Sequence, residues 1–265
     1  MLVRWDQQNK QKWKLKRWSM TLIFAHRGSS KSQPENTMPA FKQALKDGAD
    51  GIEIDVQLSK DGEVVVIHDE KVDRLTNGKG YVKDYSLYEL QKLTVTNPFS
   101  ALQRLTIPTL IEVFEWLNGN DMIINIELKN GVIPYESLEE KVIRLIRLYR
   151  YEQRVILSSF NHYSIVHCYR LAPDIETAPI YKSGIYMPWV YAQSIRANGL
   201  HPHHLAASDA MIQESIKNGI SVRPWTVNKE KDIKRLLEIG CSAIITDIPK
   251  QAAELRKKIL GNQSV

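Results

Sequence analysis

The chain has 265 residues, of which 43% are hydrophobic and 25% charged; that is ample for a packed core and excludes a disordered protein. No apolar run approaches the roughly 20 residues needed to cross a bilayer, and the N-terminus lacks the apolar segment of a secretory signal. Cys168 and Cys241 stand outside any C-x-x-C pattern. That excludes a disulfide framework and a thiolate metal site and makes a reduced, cytoplasmic setting the expectation.

The net charge of +6 is unevenly placed. Residues 1–20 carry Arg4, Lys10, Lys12, Lys14, Lys16 and Arg17 against Asp6 alone, so the rest of the chain is nearly neutral. Trp5, Trp13 and Trp18 are interleaved with those cations. The stretch reads as a disordered basic extension ahead of Met20, the alternative being an arm that lies on an anionic membrane or nucleic acid, of which weak membrane contact is the role retained. A nearly neutral body gives no footprint for nucleic acid, and no such partner is expected.

From Thr21 short apolar runs alternate with helical patterns, which argues for βα units around a mostly parallel sheet. The first strand, Leu22 to Ala25, runs into His26-Arg27-Gly28. A helix follows Pro34-Glu35-Asn36, with Asn36 as its expected N-cap. Asp50 to Asp69 then alternates Ile52, Ile54 and Val56 with Glu53 and Asp55, so both carboxylates leave one face of a strand. Ser59-Lys60-Asp61-Gly62 is a tight turn, and Val64 to Ile67 returns antiparallel, bringing His68 towards those carboxylates.

Residues 70–108 break the rhythm and read as an insertion, with a short helix near Ser86 to Leu93. Beyond it come a helix over 109–118, strand Ile123 to Leu128 and an amphipathic helix over 135–150. Strand Val155 to Ser159 and a helix over 162–171 complete that unit. Strands are predicted at Thr177 to Tyr181, Gly199 to His203, Ser221 to Val227 and Ala243 to Asp247, with helices over 188–196, 208–218, 229–239 and 249–259. Leaving out the hairpin return, the count is eight parallel strands, which is a (β/α)₈ TIM barrel with a small insertion after the second strand. Residues 21–265 then form one domain.

Such barrels place chemistry at the C-terminal strand ends. Those ends read His26-Arg27, Glu53 and Asp55, Glu127 and Lys129, Ser159-Phe160, Trp225 and Asp247. Three carboxylates aimed at one mouth would raise each other's pKa, and a hard cation such as Mg²⁺ or Ca²⁺ relieves the repulsion. The alternative is that Glu127 or Asp55 is merely paired with Lys129 or Arg27. His26 and His68 suit an acid and a base for phosphoryl transfer, and Arg27 and Lys129 suit a phosphate anion. Phe160 and Trp225 read equally as a substrate wall or as core aromatics. His201-Pro202-His203-His204 reads as a strand end with exposed histidines, peripheral to the mouth.

In this order, HRGSSKSQPENTMPAF, DGIEIDVQLSKDGEVVVIHD, RLTNGKG, IPTLIEVF, NIELK, SSF, RPWTVN and IITDIP resemble the glycerophosphodiester phosphodiesterase family, itself similar to phosphatidylinositol-specific phospholipases C. The resemblance spans residues 21 to about 250 and implies a TIM barrel with one divalent cation, hydrolysing a glycerophosphodiester to an alcohol and glycerol 3-phosphate. It implies His26 and His68 as the acid/base pair, and Glu53, Asp55 and Glu127 as metal ligands. Arg27 and Lys129 would bind phosphate, and Trp225 would flank the glycerol. Leu75 departs from the family's usual threonine in RLTNG, a change expected to affect only packing within the insertion. Two other readings are a phospholipase D-like or lyase activity on lysolipids at a membrane surface, and a non-catalytic barrel that binds phosphate esters. The full set of two histidines and three carboxylates argues against the last, since a binder needs no acid/base pair.

Overall fold

Short apolar runs become strands and the periodic segments between them become helices, in strict alternation. The structure is a computed structural model that describes residues 20–99 and 104–262. The basic stretch before Met20, and any membrane contact through it, lies outside the described residues.

The strands are β1 (Leu22–His26), β2 (Gly51–Leu58), β3 (Val64–Val66), β4 (Ile123–Leu128), β5 (Val155–Ser159), β6 (Glu176–Tyr181), β7 (Gly199–Pro202), β8 (Ser221–Val222) and β9 (Ala243–Thr246). All but β3 run parallel, in the order β8-β7-β6-β5-β4-β2-β1-β9. The Ser242 amide donates to the Val222 carbonyl (3.0 Å) and the Ile245 amide to the Pro224 carbonyl (3.0 Å), joining β8 to β9 and closing the ring. The predicted strand Ser221 to Val227 is thus cut to two residues. Pro224 brings no amide hydrogen to the ladder, and pairing continues past it only as single bonds.

Nine α-helices among the described residues pack outside the sheet or in the insertion: α1 (Met38–Lys46), α2 (Leu87–Lys92), α3 (Leu110–Leu117), α4 (Leu138–Tyr149), α5 (His162–Leu171), α6 (Pro188–Ser194), α7 (Asp209–Lys217), α8 (Glu230–Glu238) and α9 (Pro249–Asn262). Thr109 and Glu112 close a capping box at the start of α3, and Ser86 and Glu89 do the same for α2. Asn36 is not the cap of α1. Thr37 is, accepting from the Ala40 amide, while Asn36 sits in left-handed backbone and turns its amide to Asp55. A buried carboxylate competes successfully for that side chain.

On β2 all eight residues are buried. Ile52, Ile54 and Val56 pack outward against Phe41, Val113, Phe114 and Val142, whereas Glu53 and Asp55 point into the barrel. The alternation therefore separates helix layer from barrel interior, not core from solvent. Below the carboxylates the interior is filled by Leu22, Phe24, Ile123, Ile156, Ala178, Ala243 and Ile245. The insertion packs Val72, Val82, Leu90, Val95, Leu105 and Ile107 onto Val65 and Ile67 of the hairpin return, and Leu75 packs against this cluster.

His201 departs from its expectation. It is buried inside the barrel at 1% exposure, 3.4 Å from the Arg223 guanidinium, and burial pushes its pKa well down. Residue 201 falls on the inward phase of β7, which the cluster of neighbouring histidines conceals in the sequence.

Gly28 makes the turn that follows β1. It has φ +83°, and a Cβ there would stand 2.7 Å from the carbonyl carbon of Ala40. Gly28→Ala is expected to lower stability by about 2 kcal/mol or more, read as a fall in the urea midpoint, because left-handed backbone and a clash coincide. A midpoint equal to wild type would show that the β1–α1 turn can shift.

Candidate active site

Strand register assembles the site. His26 pairs with Glu53 across β1 and β2, and Glu53 with Asn125 on β4. Asp55 pairs with Glu127, and Glu127 with Ser158 on β5. The carboxylates of Glu53, Asp55 and Glu127 each offer an oxygen within 4.8 Å of the others. The hairpin return works as the turn length predicts: β3 lies antiparallel on β2 and carries His68 to the same mouth. Gln57, fully buried one step beyond Asp55 on the same face, fixes that return. Its amide donates to the carbonyls of Ile67, His68 and Asp69, and Tyr135 donates to its oxygen at 2.9 Å.

A cavity of about 1140 Å³ opens here, lined by His26, Arg27, Glu53, His68, Glu127, Lys129, Phe160 and Trp225. Asp55 lies just beneath this lining, 1% exposed. Phe160 and Trp225 meet edge to face at 5.5 Å, and the Trp225 indole N–H donates to the His201 carbonyl at 2.8 Å. The pair is thereby a fixed apolar wall of the cavity.

Both histidines are backed by carboxylates. His26 Nδ1 donates to Asp247 Oδ1 at 2.7 Å, and its Nε2 lies 4.0 Å from Glu53. His68 Nδ1 donates to Asp69 Oδ1 at 2.6 Å. Each carboxylate fixes its ring's tautomer with the proton on Nδ1. Burial alone would lower the His26 pKa; the Asp247 hydrogen bond and the charge of Glu53 outweigh it, and the net shift is upward.

The carboxylates divide by their neighbours. Asp55 is held below the usual range, since Arg27 and Lys129 offset its burial; Arg27 Nε is 3.3 Å away and Lys129 Nζ 3.8 Å. Glu127 accepts from Lys129 at 2.8 Å yet is pushed up by burial and by the charge of Asp55. Among the described residues Glu53 accepts only the Arg27 backbone amide, at 3.0 Å, and burial together with Asp55 drives it up to about 8. The two cations therefore balance Asp55 and Glu127, and Glu53 has beside it the His26 ring at 4.0 Å, a counter-charge only when that ring is protonated. The ion pairs and the cluster coexist, so the two readings of these residues are not exclusive.

Oδ1 of Asp55 and Oδ1 of Asn125 are buried and accept no hydrogen bond from the described residues. Buried hard oxygens without donors, next to a surplus carboxylate, fit a divalent cation. Sequence reading gives no site role to Glu35, Asp69, Arg74 or Gln57, assigns Asn36 only to helix capping, and puts Asp247 at the mouth without a partner. Asp69 could have been flagged by its place beside His68; Asp247 is joined to His26 only by closure of the barrel.

Residues 26–251 match the glycerophosphoryl diester phosphodiesterase family, a span that runs from His26 past Asp247. The chain belongs to that family. A glycerophosphodiester phosphodiesterase of Caldanaerobacter subterraneus is 46% identical over 241 residues, covering 90% of this chain and 98% of that protein. Another from Bacillus altitudinis is 44% identical over 91% of this chain and its own full length. Among solved structures, a phosphodiesterase of Oleispira antarctica in complex with the product sn-glycerol-3-phosphate superposes with a TM-score of 0.78 at 31% identity, covering 90% of this chain and 97% of that one. No helix among the described residues of this family member is long and apolar enough to cross a membrane.

Proposed function

We propose that the chain hydrolyses glycerophosphodiesters to an alcohol and glycerol 3-phosphate, with His26 and His68 as the acid/base pair. The observation that carries this is the meeting, in one cavity, of two carboxylate-backed imidazoles with three clustered carboxylates. The family and the product-bound Oleispira antarctica structure support the substrate class.

Arg27 and Lys129 attract the phosphate and orient it; the arginine presents a fork and the lysine a point charge. A Mg²⁺ or Ca²⁺ ion held by Glu53, Asp55 and Glu127 would supply charge to polarise a phosphoryl oxygen. One imidazole takes a proton at Nε2 from the attacking oxygen, and the other gives one to the leaving alcohol. The attacking oxygen is that of water or of the substrate's own glycerol hydroxyl; the latter expels the alcohol and forms a cyclic phosphate that water then opens to glycerol 3-phosphate. Asp247 and Asp69 stabilise whichever ring is charged. Phe160 and Trp225 receive the glycerol carbons and keep water from that side.

The deciding experiment is release of glycerol 3-phosphate from glycerophosphocholine before EDTA, after it, and after Mg²⁺ or Ca²⁺ is restored. Turnover should vanish with chelation and return with one ion. Turnover that survives exhaustive chelation would remove the cation from the reading, and none under any condition would remove the substrate. A second reading, action on lysolipids, draws on the exposed Val132 and Tyr163 at the cavity rim, 75% and 89% accessible. Lysophosphatidylcholine in the same assay tests it, and hydrolysis faster than that of glycerophosphocholine would put it first.

A further inference from the structure

Arg74 sits in the insertion, outside the cavity lining, and its guanidinium grips two carboxylates at once. Nε and Nη2 donate to Asp69 at 2.6 and 3.0 Å, while Nη1 and Nη2 donate to Glu35 at 3.0 and 2.8 Å. Each carboxylate also holds a residue of the site. Asp69 accepts from His68 Nδ1 at 2.6 Å, and Glu35 accepts from Arg27 Nη1 at 2.8 Å. Arg27 in turn lies 3.3 Å from Asp55. A continuous run of charge-assisted contacts thus passes from His68 through Asp69, Arg74 and Glu35 to Arg27.

The two ends of this run come from separate parts of the chain. His68 and Asp69 follow β3, whereas Arg27 and Glu35 belong to the β1–α1 loop. Nothing covalent near the mouth sets the distance between those loops. An exposed ion pair alone would hold them weakly, but a doubled fork fixes planes as well as charge. The Arg74 fork is also the largest influence keeping the Asp69 carboxyl down at about 2, so it stays ionised as the partner of His68.

We infer that Arg74 is a positioning residue: it sets the His68 ring through Asp69 and the Arg27 guanidinium through Glu35, registering the two flanks of the phosphate site against each other. This rests on the reading of His68 as half of the acid/base pair. A strap that only fastened the insertion would have no need of carboxylates already engaged by site residues. Leu90 and Val95 already seat the insertion in an apolar cluster shared with Val65 and Ile67 of the hairpin return.

The test combines kinetics with a direct view of the ring. Arg74→Gln, Arg74→Lys, Asp69→Asn and the Asp69→Asn/Arg74→Gln double variant are assayed on glycerophosphocholine, and the His68 ring nitrogens are followed by ¹⁵N NMR. Arg74→Gln is expected to lower kcat by about 10- to 100-fold, as loss of an orienting partner does. Arg74→Lys keeps the charge and the fold but should not restore the rate, since an ammonium cannot present two forks. The double variant should be no slower than the worse single, because both changes act through His68. The ring should pass from a single Nδ1–H tautomer to a mixture.

Wild-type kcat in Arg74→Lys, a double variant whose loss is the product of the two singles, or unaltered ring nitrogens would each overturn the inference. Failure of the His68 assignment is separable from these outcomes. In that case His68→Ala retains turnover, and the ring spectra still report whether Arg74 holds His68.

Discussion

His26→Ala and His68→Ala are each expected to reduce kcat on glycerophosphocholine by about 10²- to 10⁴-fold, the range for losing a positioned acid or base. Affinity for glycerol 3-phosphate should change little, because Arg27, Lys129 and the aromatic pair are untouched. The two variants differ in what they leave behind. Without His26, Asp247 keeps Asn228 and Ser30 as partners at 2.6 and 3.2 Å. Without His68, Asp69 keeps the Arg74 fork. Neither carboxylate is stranded, so both proteins should fold, and loss of turnover can be read as chemistry. Steady-state kinetics beside calorimetric binding of glycerol 3-phosphate separates the two effects. Retained turnover in either variant would remove that histidine from its assigned role.

Cation binding is expected to take up the surplus carboxylate and release about one proton near neutral pH. Glu53 is raised from 4.5 to about 8 by burial and by Asp55, so an ion held by that carboxylate at pH 7 would displace a proton from it. Affinity should therefore fall by about tenfold for each pH unit below about 8 and level off above it. Stability follows the same linkage. A carboxyl whose folded pKa lies above its unfolded value contributes stability that is complete below about 4.5 and lost as pH rises through about 8. The melting temperature of the cation-free protein should carry a downward contribution over that window, and added cation should reverse it. Glu53→Gln removes both slopes. Titration calorimetry in two buffers of different ionisation enthalpy counts the protons, and an affinity flat from pH 6 to 8.5 would contradict the expectation.

Much of the site could be read before folding because it is local. The alternation of Glu53 and Asp55 with Ile52, Ile54 and Val56 assigns both carboxylates to one face, whatever lies beyond it. The turn at Ser59 to Gly62 is too short for anything but an antiparallel return, which places His68. Glu127 and Lys129 follow from the same two-residue period on β4. The errors are also local in origin. Asn36 is a good helix cap by type, and only the nearby Asp55, 19 residues on, diverts it. His201 is one of three histidines within four positions, and the phase of β7 decides that it alone is fully buried.

The sequence by itself determined the βα rhythm, the carboxylate face, the hairpin that delivers His68 and the residue types of the mouth, since each depends on periodicity or on turns of a few residues. Only the tertiary structure decided which partners those residues take. Asp247 reaches His26 across 221 residues because β9 closes against β1, and Arg74 reaches Glu35 across 39 because the insertion folds back over the β1–α1 loop. A periodic pattern states which way a side chain points; closure of the barrel states what it meets there.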